Sequence, residues 1–179
     1  MRIAVSGTHH VGKSTLIDEF LQQHPEFVHE PEPYTVLVED LGEEFAAEPC
    51  VEDFLRQLDF NINRLNQHAP GENVIYERCP VDFLAYIHAN DPQTAEALLE
   101  PITEATKQLD LIVYLPFDQT NVEDEFPKLQ RAVDRRLSSI FREDEFAIMS
   151  STKATVVEAV GPTDQRLRTL LTYIKHAAL

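Results

Sequence analysis

Gly7-Thr8-His9-His10-Val11-Gly12-Lys13-Ser14 fits the pattern G-x-x-x-x-G-K-[ST], and no other feature constrains this chain as tightly. The flanks agree with it. Arg2-Ile3-Ala4-Val5-Ser6 reads as a short buried strand, and Ser14 to Leu21 reads as a helix. Strand, loop, helix is the context that the pattern requires. Such a loop wraps a phosphate with consecutive backbone N–H groups, and its glycines permit conformations that a Cβ would block. The helix N-terminus adds its partial positive charge. The expected phosphate-binding residues are therefore Gly7, Thr8, His9, His10, Val11, Gly12, Lys13, Ser14 and Thr15. Lys13 is placed to reach the β- and γ-phosphates, and the Ser14 hydroxyl to ligate Mg²⁺. His9 and His10 are unusual inside such a loop; both are expected to point outward, with only their backbone N–H groups in use, and a role in gripping the acceptor or in pH dependence is the alternative.

Short apolar strands alternate with helices along the rest of the chain. Strands are expected at Phe27–Glu30, Asn73–Arg78, Leu111–Pro116 and Thr155–Val160. Helices are expected at Tyr34–Phe45, Val51–His68, Pro80–Asn90, Pro92–Leu109 (bent at Pro101), Lys128–Met149 and Asp164–His176. This alternation predicts a three-layer α/β fold: five strands, mostly parallel, covered by helices on both faces. Ligands of such sheets sit at the carboxyl ends of the strands, and the chain's polar motifs cluster there.

Three of those motifs carry chemistry. Glu77-Arg78 follows the apolar Val74-Ile75-Tyr76, where an acid beside a phosphate loop holds Mg²⁺ directly or through water. Arg78 can clamp a phosphate or an acceptor. Glu30-Pro31-Glu32-Pro33 places two carboxylates at the end of the second strand, and either Glu30 or Glu32 could orient a hydroxyl and accept its proton. Lys128, Arg131 and Arg135 lie at helical spacing on one face, as the cations of a closing lid over residues 118–150. The acidic stretch Glu123-Asp124-Glu125 before them reads as mobile. An acceptor pocket is expected between Glu30, Glu77 and the Val51–His68 helix.

Composition narrows the partners. The formal net charge is −16 over 179 residues, which repels a polynucleotide backbone and favours a small acceptor. No run of about 18 apolar residues is present, so no membrane-spanning helix is expected. The first residues run straight into a strand, so no signal peptide is expected. Cys50 and Cys79 are not spaced as a metal site or redox pair, which suits free thiols in a reducing cytoplasm.

Together these residues resemble the P-loop nucleoside and nucleotide kinases, including nicotinamide riboside kinase-like proteins and kinase-like AAA-domain ATPases. Gly7 to Thr15 matches the group's phosphate loop (Walker A). Glu30-Pro31 resembles the Glu-Pro turn of deoxynucleoside kinases, whose acid is the proposed general base. Tyr76 to Tyr86 resembles the segment [DE]-R-x-x-x-D-x-x-A-Y, which supplies a magnesium-side acid and a phosphate-binding arginine. Gly161-Pro162-Thr163-Asp164-Gln165-Arg166 resembles the loop that covers adenine, with Gly161 and Pro162 as nucleotide contacts. The resemblance implies a P-loop NTPase fold with a helical lid over residues 1–179. It also implies ATP and Mg²⁺ as cofactors and phosphoryl transfer to a small acceptor, a nucleoside or nucleotide. A regulatory ATP-binding module or slow ATPase is the alternative, and a nucleic-acid end kinase a weaker one. Partners are then a nucleoside triphosphate and a small-molecule acceptor, with a homodimer as an option and no membrane. The chain departs from the group at Glu125-Phe126-Pro127-Lys128, where the lid's usual glycine-arginine pair is missing.

Overall fold

A computed structural model describes residues 1–118 and 125–177. Glu123 and Asp124, two of the three acids expected to be mobile, lie outside the described residues. Five strands form one sheet: β1 (Arg2–Ser6), β2 (Val28–Glu30), β3 (Val74–Glu77), β4 (Leu111–Tyr114) and β5 (Thr155–Glu158). Their order is β2-β3-β1-β4-β5, and every pairing is parallel. β1 thus lies at the centre, with Ile3 beside Ile75 and Leu111.

Period-two alternation along the strands separates two cores. Ala4, Tyr76 and Ile112 face one layer with α3 (Val51–Gln67), α4 (Pro80–Asn90), α6 (Leu99–Thr106) and α7 (Pro127–Glu143). Ile3, Val5, Ile75 and Val113 face the other, packed by Leu16, Ile17 and Phe20 of α1 (Lys13–Gln23) and by Leu167 and Leu170 of α8 (Thr163–Ala177).

The remaining helices differ from expectation for local reasons. Tyr34–Phe45 is not one helix. A short turn, α2 (Pro33–Thr35), runs into a π-helical stretch, Val36–Asp40, and regular structure stops before Gly42, whose φ of 69° is left-handed. The expected bend at Pro101 falls instead at Leu98, between α5 (Pro92–Ala97) and α6. Pro101 sits in the first turn of α6, where a missing N–H costs nothing. α7 ends at Glu143, six residues early. Asp144 turns left-handed at φ 55°, and its carboxylate accepts from the Met149 and Ser150 N–H groups at 2.7 and 3.1 Å.

Among the described residues no helix is long and apolar enough to cross a membrane. Cys50 and Cys79 are both free.

Candidate functional site

β1 delivers the loop at the centre of the sheet, between the carboxyl ends of β3 and β4. Gly7 takes a φ of 149°, and a Cβ there would lie 2.5 Å from the Leu115 carbonyl oxygen, so only glycine lets the loop leave the strand this closely. Gly12 caps α1 at φ 87°. Four of the loop's carbonyls accept hydrogen bonds from side chains. Arg78 Nη1 donates to the Gly7 carbonyl at 3.0 Å, and Lys13 Nζ to that of Thr8 at 2.8 Å. Gln130 Nε2 of α7 donates to the His9 carbonyl at 3.0 Å, and Arg166 Nη1 of α8 to that of Val11. The Gly7 N–H donates to Asp82 Oδ1 at 2.9 Å.

Lys13 is only 5% exposed, and burial foremost, with Arg78 second, lowers its pKa to about 8. Its neighbour Ser14 is exposed and donates from Oγ to Glu77 Oε1 at 2.9 Å. That hydroxyl–carboxylate pair supplies hard oxygen ligands of the kind Mg²⁺ takes alongside phosphates and water. Among the described residues no group of three or more His, Cys, Asp or Glu could hold a metal by itself.

Arg78 anchors the second half of the site. It is 1% exposed, with its backbone at a left-handed φ of 75°, a conformation costing roughly 1–3 kcal/mol in a non-glycine residue. Its Nε donates to Glu32, Asp82 lies 3.7 Å from Nη1, and Nη2 lies 3.2 Å from His9 Nδ1. Burial alone would push the Glu32 carboxyl up. Arg78 and then Lys13 outweigh it and hold that group well below the usual carboxylate range.

The two candidate bases therefore separate in space. Glu30 is bound to Arg64 Nε at 3.0 Å and His68 Nε2 at 2.7 Å, which pins the end of β2 to α3. Glu32, two residues later, meets Arg78 beside the loop.

The imidazole of His9 does not point out to solvent as expected; only His10 is exposed. The His9 ring packs edge-on against Tyr86 at 5.5 Å, and burial, then Arg78, lowers its pKa to about 3, so it is neutral near pH 7. A cavity of about 240 Å³ opens beside His9 and Arg78. Phe54 and Gln57 of α3, Phe83 and Tyr86 of α4, and Leu129 and Gln130 of α7 form its walls, and Tyr34 and Phe45 cover it. Neither Glu30 nor Glu77 lines this cavity, so it sits nearer α4 and α7 than the expected pocket did.

Lys128, Arg131 and Arg135 share one face of α7, as their spacing requires, and that face is exposed. Gln130, Val133, Leu137 and Ile140 fill the buried face, and the part of α7 that reaches the loop is Gln130. Gly161, at φ 86°, and the exposed Pro162 form the turn before α8. Gln130 carries no motif that marks it; Arg166 ends the segment Gly161–Arg166 that resembles an adenine-covering loop, and Asp82 is the final acid of the E-R-x-x-x-D spacing.

An AAA-domain family model matches residues 2–158. The chain belongs to that family. This AAA-domain protein has a P-loop, nucleoside kinase-like fold. It superposes on deoxyadenosine kinase from M. mycoides with bound dATP at a TM-score of 0.68 and 15% identity, over 98% of this chain and 100% of that one. The same enzyme with products dCMP and a flexible dCDP bound gives a TM-score of 0.65 at 15% identity, with 98% and 100% covered. At that identity the likeness establishes architecture. No curated protein matches the AAA-domain chain.

Proposed function

We propose that the protein transfers a phosphoryl group from ATP to a hydroxyl of a small acceptor, of nucleoside or nucleotide type. The observation that carries this reading is the cavity beside Arg78 and His9: a nucleotide switch needs no second pocket at the mouth of its phosphate loop, and a kinase does. Its aromatic walls suit a planar base, and the amide of Gln57 and the carboxylate of Asp53 give it polar handles.

The placement of the residues supports the following roles. The loop N–H groups and Lys13 would hold the polyphosphate, and Ser14 and Glu77 would hold Mg²⁺. When bound, Mg²⁺ neutralises charge on the β- and γ-phosphate oxygens. Glu32 orients the acceptor hydroxyl and takes its proton as the oxygen–phosphorus bond forms and the bond to the leaving diphosphate breaks. Arg78 keeps Glu32 ionised, which makes it a weak base. A loose phosphoryl-transfer transition state needs little proton removal, so orientation is the larger service. Arg78 also faces the charge that develops on the transferred group.

The test is ADP release with ATP, Mg²⁺ and a panel of nucleosides and nucleotides, scored above the water background. The proposal expects at least one acceptor to stimulate turnover, and Lys13→Ala to abolish it with the fold intact. Hydrolysis that no acceptor stimulates would instead mark a slow ATPase.

A further inference from the structure

Of the buried cations that clasp the phosphate loop, two have counter-charges. Arg78 is compensated by Glu32 and Asp82, and Lys13 lies in the fields of Glu32, Glu77 and Asp82. Arg166 has neither. It projects from the first turn of α8 and is 7% exposed. No carboxylate forms an ion pair with it among the described residues, and its Nε is buried without a hydrogen-bond partner. Nearby Asp164 is turned to Arg168 instead. The one described hydrogen bond of the Arg166 guanidinium is Nη1 to the Val11 carbonyl, and a Cβ on Gly12 would come within 3.3 Å of the same Nη1. A guanidinium so buried, with a free donor and no anion, is costly as it stands. It lies against the turn that leads into the N-terminus of α1, where negative charge is favoured.

We propose that Arg166 is a positioning residue for the polyphosphate. Through Val11 it fixes the loop, and its uncompensated buried charge is balanced when the anion enters. The residue lies outside the 2–158 segment that the family model matches, so the closing helix, not only the family segment, takes part in nucleotide affinity. This inference rests on the nucleotide-binding reading of the loop.

Binding of Mg·ATP and of inorganic tripolyphosphate is measured by calorimetry for the wild type, Arg166→Met and Gln130→Ala. Loss of a charge-assisted contact predicts about tenfold or greater weakening in Arg166→Met, by a similar factor for both ligands. Gln130→Ala, which loses a neutral hydrogen bond to the same loop, is expected to lose less. Arg166→Lys, which keeps the charge without the fork, is expected to recover part of the affinity. Equal affinity in Arg166→Met and wild type would overturn the inference and leave the nucleotide site standing; a wild type that binds neither ligand would remove the nucleotide site itself. Should Arg166→Met not fold, the wild type still decides. The Arg166 Nε–H resonance, assigned by its absence in Arg166→Lys, must shift on titration with tripolyphosphate, and an unmoved resonance overturns the inference.

Discussion

Two residues apart, Glu30 and Glu32 are given different work by what meets them. Glu32→Gln removes the carboxylate proposed to orient the acceptor hydroxyl and strands the fully buried Arg78. Turnover is expected to fall by about 10² or more. Breaking a buried pair is expected to cost about 3–5 kcal/mol in urea unfolding. Glu30→Gln cuts the tie to Arg64 and His68, so stability should drop while turnover persists. A reversed pattern would move the base to Glu30. Lys13 makes the pH prediction. Its pKa of about 8 lies below its ordinary 10.5, so the unfolded chain holds the proton between those values and the folded site does not. Its contribution to stability therefore rises with pH through that window. A polyphosphate reverses the shift, so ATP binding at pH 8 should take up about half a proton per site. Calorimetry in buffers of different ionisation enthalpy measures this, and the uptake should vanish in Lys13→Ala. That the loop, Glu77 and Arg78 lie together at the strand ends was readable, because it follows from local sequence. Where Glu30 and Glu32 point was not. It depends on Arg64 and His68, more than thirty residues away, and Gln130 and Arg166 bind backbone carbonyls, which any residue possesses.

At the scale of elements, the segment from Leu41 to Pro49 is the least regular part of the cavity. Phe45, Ala46, Ala47 and Pro49 cover it, and the Asp53–Arg56 pair of α3 fastens them. Asp53 Oδ2 accepts from the Ala46 N–H at 2.9 Å, and Arg56 donates to the Glu44 carbonyl at 2.9 Å. The Arg56 guanidinium also lies 4.1 Å from the Phe45 ring centroid. Arg56→Ala should therefore speed hydrogen exchange at the Ala46 amide and raise the acceptor KM, with ATP affinity unchanged. Exchange that stays slow would show the cover to be held by its own packing. This segment also shows where periodicity misleads. Val51–His68 was read to within one residue, because its apolar stripe faces a continuous partner, α4. Tyr34–Phe45 has similar spacing, yet Leu41 is 59% exposed and the backbone leaves the helix before Gly42 to roof a cavity. Apolar spacing reports which residues seek burial, not whether the surface they meet is straight. For the same reason α7 stops where Asp144 can turn left-handed and bond the chain beyond it.

For the whole molecule, charge at a distance and charge at the site have opposite signs. The chain carries 31 acidic against 15 basic residues, yet Lys13, Arg78 and Arg166 are buried around one loop. A triphosphate is therefore repelled during approach and attracted only on arrival. Salt separates the two. The Debye length shrinks from about 10 Å at 0.1 M to about 3 Å at 1 M, which screens the approach while leaving buried contacts largely untouched. Raising NaCl from 0.1 to 0.5 M should thus increase the association rate of a fluorescent ATP analogue in stopped flow, with little change in dissociation. It should also raise Tm by relieving self-repulsion. A nucleic-acid end kinase would behave in the opposite way, because a cationic channel loses affinity steeply as counterions compete. An association rate that fell with salt would mean that a positive face, such as the one bearing Lys128, Arg131 and Arg135, governs encounter, and would return a polynucleotide acceptor to consideration.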